Sequence, residues 1–399
     1  MRAAVYFPHP RMHGQTRDTR DMRSKSLMKI AVSTASFLLT LLALEIGLRL
    51  YGYNPLRSTQ SGREFTVRAS AHPELKYELT PGASGRFGDT DKINSHGFRG
   101  PEPSSVPSGQ RIIVLGDSIT FGDSMPWEDT FSGQLQQRLH SSKRDVEVLN
   151  FGVGGYDILQ EVSLLEIRGL KYHPDLVVVA YCLNDISIAT TSLDHIQRMQ
   201  SQQKSFLYTS RLAQFVSTNV EKIRLKKWLS HMNQPEVFHR EYEHQIDTIS
   251  ADEVELLDLM QNAPQWPSTT WYGDRDRVGR LRFAFRRLAS ISTKNGFPVV
   301  IMTVPLLLGD AGTYTHHAAH RIVEMEARRA GFDTIDLTDA FMSEGMGNLK
   351  SELGDIIHPN RRGHVIMGEL LSEYVVSHLK ESRMASKLTK PQRLNIQSP

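Results

Sequence analysis

From residue 111 onward, short, largely apolar runs alternate with longer stretches in which apolar residues recur every three or four positions. The runs at 111–115, Val146–Phe151, Leu176–Tyr181, Val299–Val304 and Thr334–Leu337 predict strands from their length and β-branched content. The periodic stretches at 129–141, 157–170, 277–294, 315–330 and 361–380 predict amphipathic helices. Strands with apolar residues on both faces are buried on both. The alternation therefore predicts an α/β domain over 111–380, with a parallel sheet covered by helices on both sides. The connection 186–276 is too long for a simple crossover; it is polar, has helix-like pieces at Thr209–Leu229 and Ser250–Gln261, and reads as an inserted helical cap.

Ahead of this domain the pattern changes twice. Ile30–Leu44 is uncharged, and Glu45 and Arg49 follow at i,i+4 spacing. A helix over 30–50 is about 31 Å long, which matches the hydrocarbon core of a bilayer. No small-x-small cleavage site follows Leu44, so the segment reads as an uncleaved signal anchor rather than a removed signal peptide. Residues 51–110 are rich in Gly, Pro and Ser and read as a linker and an extended prelude, with Tyr77-Glu-Leu-Thr-Pro-Gly82 and Ile93-Asn-Ser-His-Gly-Phe-Arg-Gly100 inside it. Residues 381–399 are basic and polar and read as a flexible tail.

Charge supports this division. The chain of 399 residues has a net charge of +3, but residues 1–29 alone carry seven Arg or Lys against two Asp. The remainder is slightly acidic, so the basic balance belongs to a tail and not to a nucleic-acid-binding face. A positive tail stays in the cytoplasm and sends the domain outside the membrane, to the periplasm or cell surface. Met22 opens a conventional basic leader of its own, so residues 1–21 read as a mis-called start or a short disordered tail. The single cysteine, Cys182, excludes an intrachain disulfide and a cysteine metal site, and reads as a small buried residue.

Four segments with chemical potential fall at the ends of predicted strands: Gly116-Asp117-Ser118, Asn150-Phe-Gly-Val-Gly-Gly-Tyr156, Cys182-Leu-Asn184-Asp185 and Asp355-Ile-Ile-His358-Pro. In a parallel sheet these ends share one rim, where residues far apart in sequence converge. Serine is a weak nucleophile that needs a base. His358 supplies an imidazole, whose unperturbed pKa is about 6.5. Asp355, three residues earlier, is placed to orient that ring. The Ser118 N–H, the Gly155 N–H and the Asn184 amide are the candidate donors to an oxyanion. Asp117 reads as a turn and helix cap, and Asp185 as an anchor of its loop. His316 and His320 have a metal-ligand spacing but show no acidic partner, so they read as a surface or helix-start pair. Lys222, Arg224, Lys226 and Lys227 read as a solvated helix face, and Trp266, Trp271 and Tyr272 as packing of the cap, with an acyl or sugar pocket as the alternative.

Together these four blocks resemble those of the SGNH/GDSL hydrolase family, named for its Ser, Gly, Asn and His. The resemblance covers about 111–380. It implies a flavodoxin-like three-layer α/β/α sandwich with strand order 2-1-3-4-5, catalysis by Ser118, His358 and Asp355, and no metal or organic cofactor. One departure is Cys182, where the family usually has glycine. The implied activity is that of a membrane-tethered esterase acting on acylated glycans or lipids, with acetyl esters first. Two alternatives stand beside it: transfer of the acyl group to a glycan by the same triad, and a catalytically silent envelope scaffold.

Overall fold

The computed structural model describes residues 18–51, 66–84, 92–105, 109–123, 125–187, 271–309 and 314–389, with short pieces between 210 and 260. Two compact units emerge: residues 1–55 with 205–222, and the rest of the chain.

The first unit is built on α1 (Asp18–Leu50). Among the described residues it is the one helix long and apolar enough to cross a membrane, and its Leu, Ile and Phe side chains face outward. It starts upstream of the expected 30–50 because nothing between Asp18 and Lys29 breaks a helix. Near its end, Arg49 donates to the Glu45 carboxylate at 2.7 Å. The same carboxylate accepts the backbone N–H groups of Arg211 and Leu212, at 3.0 and 2.8 Å, and the Ser210 hydroxyl at 2.8 Å. It thereby caps the short helix 211–216.

In the second unit, β1 (Val67–Ala69) and β2 (Tyr77–Leu79) form an antiparallel pair in the prelude. A parallel sheet follows, made of β3 (Gln110–Gly116), β4 (Val146–Gly152), β5 (Leu176–Cys182), β6 (Val299–Val304) and β7 (Asp333–Asp336). Its order is β4-β3-β5-β6-β7, the expected 2-1-3-4-5 when the parallel strands alone are counted. Every residue of β5 and β6 is buried, while β7 at the edge is partly exposed.

The helices are α2 (Ser118–Phe121), α3 (Phe131–Ser141), α4 (Ile158–Leu164), α5 (Arg275–Asn295), α6 (His317–Arg329) and α7 (Arg361–Thr389). α3 packs against α7, and α5 packs against α4 and α6. The helix expected over 157–170 is divided: α4 widens into a π-helical turn at Leu165–Gly169 and closes with a 3-10 turn ended by left-handed His173. The last helix overlaps the segment expected as a flexible tail from 381. α7 runs on to Thr389, because no breaker precedes Pro391 and a residue just before proline disfavours helix.

Of the expected cap, 211–216 and 254–257 are helical, while most of 186–276, including Trp266, Arg224, Lys226 and Lys227, lies outside the described residues, as do Lys222 and residues 1–17. Leu256, Leu257 and Met260 join the core, and the Tyr272 hydroxyl meets the Tyr181 hydroxyl at 2.8 Å, so this end of the insertion is packing.

A buried ion pair joins α5 to α6: Arg282 donates to both oxygens of Glu326, at 2.9 and 2.6 Å, with both side chains 2% exposed. Removing one partner leaves the other charge desolvated. Glu326→Ala is expected to cost about 3–5 kcal/mol in a urea unfolding titration, and a loss under about 1 kcal/mol would contradict this account.

Candidate active site

β3 delivers Ser118 to the rim through a turn that only glycine fits. A Cβ on Gly116 would lie 2.1 Å from the Thr120 hydroxyl and 3.0 Å from the Ala180 carbonyl. Asp117 then caps α2, its Oδ1 accepting the Ile119 N–H at 2.8 Å. Left-handed Gly122 closes this single turn. Ser118 is 3% exposed, at the first position of the turn.

The fourth block reaches the same point. Ser118 Oγ is 2.9 Å from His358 Nε2, and His358 Nδ1 is 2.9 Å from Asp355 Oδ2. The other oxygen of Asp355 accepts the N–H groups of Ile357 and His358, at 2.9 and 3.0 Å, and Ser351 donates to Oδ2 at 2.9 Å. Burial raises a carboxyl pKa. Here the hydrogen bonds and charge of His358, with the two backbone donors, outweigh it and hold Asp355 well below the usual carboxylate range.

The second and third blocks also arrive. The Val153 N–H donates to the Gly116 carbonyl at 3.1 Å, and a Cβ on Gly152 would sit 2.2 Å from the Phe121 nitrogen. This close approach sets the Gly154–Gly155 turn beside α2, with Gly155 at φ +79°. Asn150 is structural: its amide donates to the Thr120 carbonyl at 2.5 Å and its oxygen accepts the Gly152 N–H at 2.9 Å. Asn184 spends one amide hydrogen on Asp117 Oδ2 at 3.0 Å, which leaves its second as a donor. Asp185 accepts the Cys182 N–H at 2.7 Å and so anchors its loop. Cys182 is buried at the end of β5, where burial first and then the charges of Asp117 and Asp185 push its thiol up.

Several partners had no signature in the sequence. Behind the site, Glu161 is buried with neither carboxyl oxygen hydrogen-bonded among the described residues. Burial, reinforced by neighbouring carboxylates, pushes both Glu161 and Asp185 well above the carboxylate range.

His316 and His320 are not a surface pair. Both are buried; His320 Nδ1 is 3.1 Å from each oxygen of Asp336, and its Nε2 is 2.7 Å from the Tyr314 hydroxyl. Among the described residues no group of His, Cys, Asp and Glu is arranged to hold a metal. From the prelude, Tyr77 reaches the carbonyl of Gly154, next to Gly155, and Arg99 that of Phe121, at the end of the turn that Ser118 opens. A cavity of about 260 Å³ lies between Arg68, Phe98, Arg168 and Tyr172, and neither Ser118 nor His358 lines it.

The model of the GDSL-like lipase/acylhydrolase family matches residues 114–366. The chain belongs to this family. It is a serine hydrolase acting on esters. The matched span contains all four strand-end blocks but begins after the prelude. A comparison with curated proteins finds no match. Among solved structures, LAE5, an alpha/beta hydrolase enzyme from the metagenome of Lake Arreo, Spain, is 14% identical with a TM-score of 0.37, over 67% of this chain and 96% of that one. The acetyl xylan esterase AlAXEase is 14% identical with a TM-score of 0.37, over 67% and 98%. The acetylxylan esterase Axe2 from Geobacillus stearothermophilus gives the same identity and TM-score over 67% and 94%.

Proposed function

We propose that the protein is a membrane-tethered, extracytoplasmic serine esterase that removes acyl groups, acetyl first, from glycan or lipid esters. The observation that carries this reading is the hydrogen-bonded series Ser118 Oγ, His358 Nε2, His358 Nδ1, Asp355 Oδ2, with 2.9 Å at both contacts. Ser118 attacks the ester carbonyl while its proton passes to His358, and the imidazolium is stabilised by Asp355. The oxyanion is met by the N–H groups of Ser118 and Gly155 and by the free amide hydrogen of Asn184. His358 then protonates the departing alcohol. Water activated by the same ring cleaves the acyl-enzyme and releases the acid.

The tether is supported by the length and outward-facing apolar side chains of α1. It is also supported by Glu45, whose carboxylate caps residues 210–212 and gives α1 a role in the mature fold that a removed leader would lack. Acetyl specificity rests on family analogy and on the acylated envelope polymers within reach of a tethered enzyme.

The test is labelling of the detergent-solubilised full chain with a fluorophosphonate. Peptide mapping should place the phosphonyl adduct on Ser118, with release of acetate from an acetylated xylooligosaccharide or p-nitrophenyl acetate. Absence of both the adduct and turnover would remove the enzyme assignment of Ser118.

A further inference from the structure

The prelude sends one side chain to the peptide that carries the Gly155 N–H and another to the far end of the turn that Ser118 opens. Tyr77 is fully buried, and its hydroxyl donates to the Gly154 carbonyl at 2.9 Å. That carbonyl and the Gly155 N–H belong to one planar peptide, pointing in opposite directions. Fixing the oxygen therefore fixes the direction of the N–H. A hydrogen bond accepted by the oxygen also polarises the peptide and strengthens the N–H as a donor. The brace matters because Gly152, Gly154 and Gly155 make this turn intrinsically loose. Among the described residues no protein acceptor takes the Gly155 N–H. Tyr77 is itself held: the Tyr156 hydroxyl donates to its carbonyl, and the two rings meet edge to face at 5.1 Å.

Arg99 does the corresponding work for the serine. Its guanidinium is 1% exposed and donates to the carbonyls of Phe121 at 2.5 Å and Gly122 at 2.6 Å, and also to that of Met125. A single helical turn such as α2 has little stability of its own, and its last carbonyls have no partner within the helix. Arg99 supplies those partners, and its charge complements the negative end of the turn. Its backbone is bridged to Asn150 on β4, so the guanidinium is referenced to the sheet.

We infer that residues 66–84 and 92–100, which lie outside the matched family span, are a positioning clamp for catalysis, in which Tyr77 aims the Gly155 N–H and Arg99 steadies the turn carrying Ser118. This rests on the reading of Ser118 as nucleophile and the two N–H groups as oxyanion donors.

The test compares the full chain with Tyr77→Phe and Arg99→Lys in detergent. Tyr77→Phe keeps the ring and removes one oxygen. Its kcat is expected to fall about tenfold or more with KM within about twofold, because the loss bears on the transition state alone. Affinity for a trifluoromethyl ketone, which forms a tetrahedral oxyanion on serine, should fall in proportion to kcat. Arg99→Lys, which keeps the charge but loses the fork, should behave likewise.

Unchanged kcat in both variants overturns the clamp. So does a loss in which KM and ketone affinity weaken equally, or one tracked by the melting temperature alone; both are signs of a merely structural role. Wild-type labelling at Ser118 separates the two levels. If it succeeds and the variants behave as wild type, the clamp alone fails. If it fails, the clamp falls with the site.

Discussion

Replacing Ser118 by alanine is expected to lower kcat toward p-nitrophenyl acetate by about a millionfold, with the melting temperature close to wild type. The hydroxyl makes no contact that the fold needs: its neighbours are His358 Nε2 at 2.9 Å and Asp117 Oδ2 at 3.3 Å, and Asp117 caps the turn through its other oxygen. Deleting one oxygen therefore removes the proposed nucleophile and leaves Gly116, the cap and the proposed oxyanion donors in place. Residual acceleration over water of about a thousandfold should persist from those donors and from binding. Loss of less than about tenfold in kcat would exclude Ser118 as the attacking group.

Asp355→Asn is expected to lower kcat about ten-thousandfold. An asparagine there keeps one oxygen for the N–H groups of Ile357 and His358, so the turn survives. It presents an amide N–H to His358 Nδ1 in place of a carboxylate oxygen. The ring then accepts at Nδ1 and carries its proton on Nε2, which can no longer take a proton from Ser118.

The same substitution has a pH signature in stability. The Asp355 carboxyl is held below its unfolded value of about 3.9. Its contribution is therefore complete above that pH and is lost as pH falls through the folded value. Denaturant titrations should show the wild type losing stability below about pH 4 relative to Asp355→Asn. Activity within tenfold of wild type, or parallel acid profiles, would contradict these assignments.

What the sequence revealed of this molecule depended on what kind of atom did the work. The inner strands were legible because burial leaves largely apolar runs, and strand ends were legible because Gly116, Gly152 and Gly155 mark turns. Ser118, His358 and Asp355 were legible because their side chains carry the proposed chemistry.

Tyr77 and Arg99 were not, because their partners are the carbonyls of Gly154, Phe121, Gly122 and Met125, and every residue has a carbonyl. Asp336 stayed hidden as the partner of His320 because the two meet only when β7 is laid beside α6. The π-helical turn after α4 escaped because periodicity cannot register one turn of different pitch. Glu161 carries no mark in the sequence, and only packing shows that it is buried.

Cys182 has a consequence for how the molecule meets its surroundings. Its thiol is the only one in the chain, is fully buried and is kept protonated by burial and neighbouring carboxylates. Thiolate is the species that exchanges disulfides and meets peroxides. Dithiols and thiol-directed oxidants should therefore leave its rate untouched, and a cysteine introduced on its surface becomes the single address for a thiol-reactive probe.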